Sequence, residues 1–287
     1  GVAGSAGVAG SAGVAGSAGV AGSAGVAGSA GAAGGAGAAG GAGGGEQPVL
    51  WTGCHCGEPG CGTCPDAPMV DVGDFSIDAT EVTHQQYQAF LDAAPHLSWQ
   101  PWLCDWNTTF VPNGTWPKPG AEQQPVAYVD WCDAFSFCAW EGKRLCGKIG
   151  GGASSYYAYK DATSSQWYNA CTSGGTHPYP YGDSFDEMAC NGEAYSFATF
   201  GANLNQTVDV GSLASCEVAG KGIFDMSGNL YEWEDSCDAN TGDSDKCRTR
   251  GGSMYSTSPS VLACQSAYSM PQRNWVRNNI GIRCCSE

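Results

Sequence analysis

The chain has 287 residues and a formal net charge of -16, because 28 Asp and Glu residues outnumber 12 Lys and Arg residues. This charge argues against electrostatic binding to nucleic acid or to an anionic membrane surface. No run of about 18 apolar residues exists, so the sequence predicts no membrane span. Sixteen cysteines, an even number, favour disulfide bonds and a location at the cell surface or outside the cell. Because the chain begins with Gly1, we expect that a signal peptide has already been removed.

Residues 1–45 form a repeat that begins GVAGSAGVAGSA, with Gly at every third position from Gly1 to Gly43. A flexible linker is the simplest interpretation of a segment rich in Gly and Ser. A period of three also matches a polyproline II or polyglycine II helix, whose backbone groups must pair with neighbouring chains. Silk-like stacking of strands is a third interpretation. We predict an extended arm of the polyproline or polyglycine II type, which self-associates into a trimer or a filament.

A cysteine-rich connector is predicted at residues 46–67, where the motif CHCGEPGCGTC contains Cys54, Cys56, Cys61 and Cys64. These cysteines can form disulfides within the chain, form disulfides between chains, or bind zinc. The C-x-C spacing is tighter than the C-x2-C spacing that is typical of zinc ribbons. We therefore predict disulfides, and both pairing modes stay open.

Residues 68–287 are predicted to form a globular domain that mixes strands and helices. Apolar residues alternate between Val70 and Ile77, which predicts a pair of strands. Thr83 is predicted to cap the helix HQQYQAFLDAA, and the run VAYVDWCDAFSFCAWEGKRL predicts a second helix with one apolar stripe. After Gly150 the composition indicates loops that disulfides and ions hold in place.

A series of motifs in this domain resembles the formylglycine-generating enzyme family, also called the sulfatase-modifying-factor domain. In chain order they are IDATEVTHQQYQAF, PVAYVDWCDAFSFCAWEGKRL, SQWYNAC, YPYGD, ACN, GIFDMSGNLYEWEDSC, RGGS and NNIGIRC. The resemblance covers about Val70 to Cys285 and is richest for the exported, cysteine-rich bacterial branch of the family. It implies an α+β fold of the C-type-lectin-like kind with little regular secondary structure.

The resemblance also implies a copper site, which this sequence does not reproduce. Family members that oxidise a substrate cysteine hold Cu(I) between two cysteines after the GGS motif, because soft thiolates suit this ion. Here the segment reads SMYSTSPSVLAC, with Ser256 and Val261 near the expected positions. The four histidines form no H-x3-H pattern that would suit iron, and G-x-S-x-G, Walker and HExxH motifs are absent. We therefore expect no copper site and no catalytic residues.

Calcium is the cofactor that the resemblance favours. It implies one ion held by the side chains of Asp225 and Glu232 and by the carbonyl oxygens of Gly228 and Leu230, which are hard oxygen ligands. An ordinary capped turn is the alternative interpretation of this stretch. A second family calcium site matches Asn191 and Gly192 but departs from the pattern further along the chain.

Two disulfide bonds are implied by the resemblance as well. Cys138 is expected to pair with Cys284 or with its neighbour Cys285, and Cys171 is expected to pair with Cys264. The sequence alone does not pair the other cysteines.

Three functional hypotheses follow. The first is a non-catalytic extracellular structural or adhesive protein, in which residues 1–45 form a filament or fibre and a lectin-like head binds an unknown surface ligand. The second is a ligand-binding module of a cell-surface lipoprotein. The third is an oxidase of the formylglycine-generating type with a non-standard metal site. The missing cysteine pair favours the first hypothesis and predicts that the chain is not an enzyme.

Overall fold

The computed structural model describes residues 49–201, 205–267 and 269–287. The described residues all belong to one compact unit, which is bounded at residues 47–287 and which we call the second unit because residues 1–46 are divided from it. The predicted arm at residues 1–45 lies outside the described residues, so its conformation and its self-association stay predictions. Within the described residues, no helix has the length and apolar character needed to cross a membrane.

The second unit mixes short helices and short strands, which confirms an α+β fold with little regular secondary structure. The helices are α1 (His84–Asp92), α2 (Trp131–Trp140), α3 (Gln166–Cys171), α4 (Glu193–Phe200) and α5 (Pro259–Leu262). The strands are β1 (Met69–Asp71), β2 (Ser76–Asp78), β3 (Arg144–Leu145), β4 (Tyr231–Cys237), β5 (Cys247–Arg250), β6 (Ile280–Gly281) and β7 (Cys284–Ser286). Single 3-10 turns lie at Leu97–Trp99, Trp102–Cys104 and Ala214–Cys216.

Two small sheets organise this unit. The first has the strand order β1-β2-β7-β3, and all its neighbours are antiparallel. Val70 lies opposite Ile77, which confirms the predicted strand pair. The second sheet has the order β5-β4-β6, with β4 antiparallel to β5 and parallel to β6. Strand β7 therefore joins a sheet whose other strands come from much earlier in the chain.

Helix α1 begins where the sequence predicts, because Thr83 and Gln86 form a capping box. The Thr83 hydroxyl accepts from the Gln86 backbone N–H at 3.2 Å, and the Gln86 side chain accepts from the Thr83 N–H at 2.7 Å. Its buried residues face α2: the rings of Tyr87 and Phe137 stack with centroids 5.5 Å apart, and Phe90 contacts Trp140 at the same distance. This aromatic packing forms the centre of the larger core.

Helix α2 is buried on all sides. The sequence predicts one apolar stripe on this helix, and this prediction is wrong, because all ten residues of Trp131–Trp140 are buried. A helix that is buried all round lies inside the core rather than on its surface. The other described residues therefore surround α2.

Eight disulfides join all sixteen cysteines within this chain. They are Cys54–Cys61, Cys56–Cys64, Cys104–Cys132, Cys138–Cys284, Cys146–Cys285, Cys171–Cys264, Cys190–Cys216 and Cys237–Cys247. Such a density of disulfides fits an oxidising compartment.

The predicted connector packs onto the core. The four cysteines of the CHCGEPGCGTC motif bond one another within the chain, so they offer no thiolates to zinc. The backbone N–H of Cys56 donates to the Trp140 carbonyl at 2.7 Å, and the Trp140 indole N–H donates to the Cys61 carbonyl at 2.8 Å. The described part of residues 46–67 is thus a covering layer on the end of α2.

Candidate functional site

Segment 253–257, between β5 and α5, borders two cavities. The first cavity has a volume of about 690 Å³ and is lined by side chains that include Phe185, Met188, Glu193, Phe197, Ser256 and Leu262. The second cavity has a volume of about 490 Å³ and is lined by side chains that include His84, Trp116, Tyr128, Gln206, Tyr255 and Asn278. Asn205 borders both cavities. Both volumes are in the range of small-molecule sites.

Local backbone chemistry fixes the shape of this segment. Gly252 has φ +79°, and a Cβ at this position would lie 3.0 Å from the Leu262 side chain, so the turn requires glycine. Ser256 closes the turn, because its N–H donates to the Ser253 carbonyl at 2.8 Å and its hydroxyl accepts from the Ser253 N–H at 3.0 Å. The Ser256 carbonyl then accepts from the N–H of Glu193 at 3.0 Å. Ser256 is thereby fixed at the edge of the first cavity, beside the start of α4.

The residues of this segment do not fit thiolate-bound copper. Ser256 offers a hydroxyl that is already hydrogen-bonded, and Val261, which follows in α5, has no ligand atom in its side chain. Cys264, the nearest cysteine, is bonded to Cys171. Cu(I) sites of this kind need free thiolates, and none of the cysteines is free.

The predicted calcium ligands lie in the buried part of the domain, where several already have partners. Glu232 accepts from Arg283 Nη2 at 2.8 Å and from the Trp167 indole N–H at 2.6 Å. Asp225 accepts from the Gly211 N–H at 2.6 Å, and burial raises the pKa of its carboxyl to about 6.

Gly228 and Asn191, which belong to the two different predicted calcium sites, contact each other. A Cβ on Gly228 would lie 2.6 Å from the Asn191 carbonyl oxygen, so only glycine fits there. The Asn191 carbonyl also accepts from the Asn229 N–H at 2.9 Å. Gly192, the other member of the second set, is the N-cap of α4. The structure therefore brings the two predicted sets side by side.

Glu81 is a functional candidate that the sequence analysis missed. Its carboxylate accepts from the Leu230 N–H at 2.9 Å and from the Asn229 amide at 2.6 Å. Burial, together with the negative charges of Asp225 and Glu232, raises the pKa of Glu81 well above its ordinary value. Together with Arg283 these three acids form what we call the carboxylate cluster. The motif IDATEVT contained Glu81, but no spacing rule linked it to residues about 150 positions away.

The predicted disulfide partners also lie together. The structure joins Cys138 of α2 to Cys284 of β7, and it joins Cys171 of α3 to Cys264 after α5. Cys285, the alternative partner of Cys138, is bonded to Cys146. The two adjacent cysteines of β7 are thus attached to two different parts of the chain.

Comparison with known proteins assigns this domain to a family. Residues 53–287 match the sulfatase-modifying factor enzyme 1-like domain, and the chain belongs to this family. The matched region includes the Cys54–Cys64 segment as well as β7, in agreement with a single folded unit.

Three relatives show how far the similarity extends. Hercynine oxygenase of Mycolicibacterium thermoresistibile is 25% identical over 190 residues, which cover 59% of this chain and 37% of that protein. The formylglycine-generating enzyme of Streptomyces coelicolor is 23% identical, with 62% of each chain covered. The inactive C-alpha-formylglycine-generating enzyme 2 of Bos taurus is 26% identical, with 56% of this chain and 50% of that protein covered. The chain thus spans less than two thirds of each of these relatives.

This similarity corrects the functional predictions. Two of the three relatives have the names of enzymes, an oxygenase and a formylglycine-generating enzyme. The predictions of a non-catalytic structural or adhesive filament protein, and of a chain that is not an enzyme, are therefore wrong. The missing copper cysteines were a poor guide, because they bear on one metal site and not on the whole range of chemistry in the family.

Proposed function

We propose that the chain is an extracellular or cell-surface oxidoreductase domain that binds an organic substrate in the first cavity. Its reaction uses molecular oxygen and does not use thiolate-bound copper. One observation carries this proposal: the first cavity opens beside Ser256, where the family resemblance expects the reactive metal site. The names of the two enzyme relatives support an oxidative reaction. The finer description of the fold as C-type-lectin-like is part of the same proposal.

The lining of the first cavity supports a substrate with an apolar body and a positive charge. Phe185, Met188 and Phe197 supply apolar surface, and Glu187 and Glu193 supply negative charge. No Lys, Arg or His lies among the described residues that line this cavity. A cationic group would therefore meet favourable electrostatics there, and an anionic substrate would be repelled.

Oxygen consumption tests this proposal. The full chain is supplied with Fe(II), Mn(II) or Cu(I) and with either hercynine plus cysteine or a cysteine-containing cationic peptide, and oxygen uptake is followed with an electrode. We expect uptake that depends on substrate with at least one metal. If no combination gives uptake above the level without protein, the proposal is wrong.

Two variants on α4 make the test specific to the first cavity. Ala198 lines this cavity, and Ala198→Trp is expected to fill it and to abolish uptake. Thr199→Trp places the same side chain at the next position, which is exposed and lies outside the lining, and it is expected to retain uptake. Equal activity of both variants would show that the reaction takes place elsewhere.

We also propose that the domain binds calcium through Asp225, Gly228, Leu230 and Glu232. The carboxylate cluster supports this proposal, because three buried acids face the single guanidinium of Arg283 and a divalent cation would offset the excess negative charge. To bind the ion, Glu232 must share its oxygens between calcium and Arg283.

A second calcium ion at Asn191 and Gly192 is a further part of this proposal. The Oδ1 atom of Asn191 is buried and has no hydrogen-bond donor among the described residues. An amide oxygen of this kind is a suitable calcium ligand.

A further inference from the structure

The second cavity is walled by aromatic rings that solvent can reach. Tyr128 is 39% exposed and Tyr255 is 41% exposed, although both border a cavity. Trp116 forms another wall, and its indole stacks on the His84 imidazole with centroids 4.9 Å apart and an interplanar angle of 18°. Aromatic rings have a negative face that attracts C–H hydrogens of a ligand. The walls therefore favour a ligand that presents C–H groups on a flat surface.

Neutral polar groups complete the lining of the second cavity. Asn205, Gln206 and Asn278 contribute side-chain amides, and the Asn278 amide donates to the Tyr255 hydroxyl at 2.6 Å. Among the described lining residues Lys118 is the one Lys or Arg, and its ammonium donates to the Gln124 side chain at 3.0 Å. No carboxylate occurs among the described residues that line the cavity. The lining thus offers no negative charge to a cation, and its amides suit the hydroxyl or amide groups of a ligand.

Two ring nitrogens in this wall have no hydrogen-bond partner in the part of the chain that the structure describes. His84 Nδ1 and Trp116 Nε1 are both buried, and neither forms a hydrogen bond with the described residues. Burial, together with the charge of Lys118, lowers the pKa of His84 to about 4, so the imidazole is neutral at pH 7. A neutral imidazole has one donor and one acceptor nitrogen, and an indole has one donor. A ligand that both donates and accepts would satisfy these groups.

Tyr128 is held in a strained backbone conformation that fixes its ring in the cavity wall. Its φ is +62°, which is uncommon for a bulky residue. Hydrogen bonds from its N–H to the Arg277 carbonyl and from the Asn113 N–H to its carbonyl, both 2.9 Å, hold the backbone there. A Cβ at position 114 would lie 2.9 Å from the Tyr128 ring, so Gly114 makes room for it. Strain of this kind is concentrated at binding and catalytic sites.

We propose that the second cavity binds a neutral saccharide. One face of a pyranose ring would stack on Tyr128 and Tyr255, and its hydroxyl groups would hydrogen-bond to Asn278 and, after a small shift of the two buried rings, to Trp116 Nε1 and His84 Nδ1. A proline-rich peptide also suits aromatic grooves. Proline, however, has no backbone N–H, whereas a hydroxyl both donates and accepts, as this wall requires. Apart from Asn205, this site is lined by other residues than the first cavity, and it goes beyond the proposed oxidative function.

Isothermal titration of the full chain tests this proposal. The probes are neutral trisaccharides of glucose, mannose, galactose and N-acetylglucosamine, and a proline-rich peptide is the competitor class. We expect at least one trisaccharide to bind at millimolar concentration or below. Tyr128→Asn should weaken this binding about tenfold, because it removes the stacking ring. Asparagine tolerates a positive φ, so the variant should keep the fold.

Matched variants separate the saccharide site from other effects. Tyr157→Asn removes a tyrosine that is 83% exposed and lies outside the cavity, and it should leave binding unchanged. Trp116→Phe keeps a ring but removes the N–H, and it should also weaken binding. Ala198→Trp should block oxygen uptake and leave saccharide binding intact, so the two proposals fail independently. Absence of binding by all trisaccharides, equal binding by Tyr128→Asn, or binding of the peptide alone would overturn the proposal.

Discussion

Asp130 and Asp133 cap α2 in the interior of the protein, and this position raises the pKa of both carboxyls. The Asp130 carboxylate accepts from the Asp133 N–H at 2.9 Å, and the Asp133 carboxylate accepts from the Asp130 N–H at 3.0 Å. Burial raises the pKa of Asp130 to about 7, and burial together with the nearby charge of Asp130 raises the pKa of Asp133 well above its ordinary value. Both side chains cap α2, but the interior opposes their ionisation.

We expect the free energy of unfolding to change with pH because the carboxyls of Asp130 and Asp133 ionise. An acid with a raised folded-state pKa contributes stability at low pH, and this contribution is lost as pH rises through the folded-state pKa. For Asp130 this window extends from 3.8, its ordinary value, to about 7. We expect the free energy of unfolding of Asp130→Asn to fall less than that of wild type across this window, by on the order of 4 kcal/mol.

Urea denaturation at a series of pH values measures this difference. Asp105→Asn changes an exposed acid at the end of a 3-10 turn and should follow the wild-type pH profile. If Asp130→Asn and wild type lose stability in parallel, the Asp130 carboxyl does not titrate in this range.

Local capping was predictable from the sequence, but the carboxylate cluster was not. Thr83 and Gln86 are three positions apart, so a spacing rule finds them. The partners Glu81 and Asn229 are 148 positions apart, and only the folded chain brings them together. The same limit explains why Arg283 was not foreseen as the ion-pair partner of Glu232.

The turn from Asp225 to the start of β4 is the element that bound calcium is expected to stabilise. A ligand that binds only the native state stabilises it by mass action, by about 2.7 kcal/mol at a concentration one hundred times its Kd. We therefore expect a chelator to lower the melting temperature and added Ca²⁺ to restore it. Asp225→Asn should remove this response.

Differential scanning calorimetry with and without Ca²⁺ measures the effect. Asp209→Asn removes an exposed acid from the preceding loop and should keep the full response to calcium. If a chelator does not change the melting temperature of wild type, the calcium prediction is wrong and this stretch is an ordinary capped turn.

Elements with local hydrogen bonds could be predicted from the sequence, and those with distant partners could not. Strands β1 and β2 are neighbours in the chain, and their alternating residues indicated both strands. The parallel pairing of β4 with β6 and the insertion of β7 between β2 and β3 join segments with no shared sequence signal. The two cavities could not be predicted from the sequence for the same reason, because their linings come from helices and loops that are distant in the chain.

For the whole molecule, the disulfides are expected to differ in their effect on stability. Cys138 and Cys284 are 146 positions apart, whereas Cys54 and Cys61 are 7 positions apart. A bond that closes a longer loop restricts the unfolded chain more. We expect the double variant Cys138→Ala and Cys284→Ala to lose about 3 kcal/mol more than the double variant Cys54→Ala and Cys61→Ala.

Chemical denaturation of both variants under non-reducing conditions checks this expectation. If both double variants lose the same free energy of unfolding, the effect of each bond does not depend on how far it restricts the unfolded chain. The sequence predicted that the cysteines form disulfides, but it gave partners for few of them, because pairing depends on distances in the folded state.

The position of β7 also has a consequence for biosynthesis. Residues 284–286 lie between β2 and β3, and their two cysteines are bonded to α2 and to the segment after β3. The first sheet therefore cannot be completed on the ribosome before these residues have been synthesised. In a cell that exports this chain, the reducing cytoplasm would also keep these bonds open. The two bonds that attach β7 to the rest of the fold therefore require both a chain extended to residue 285 and an oxidising compartment.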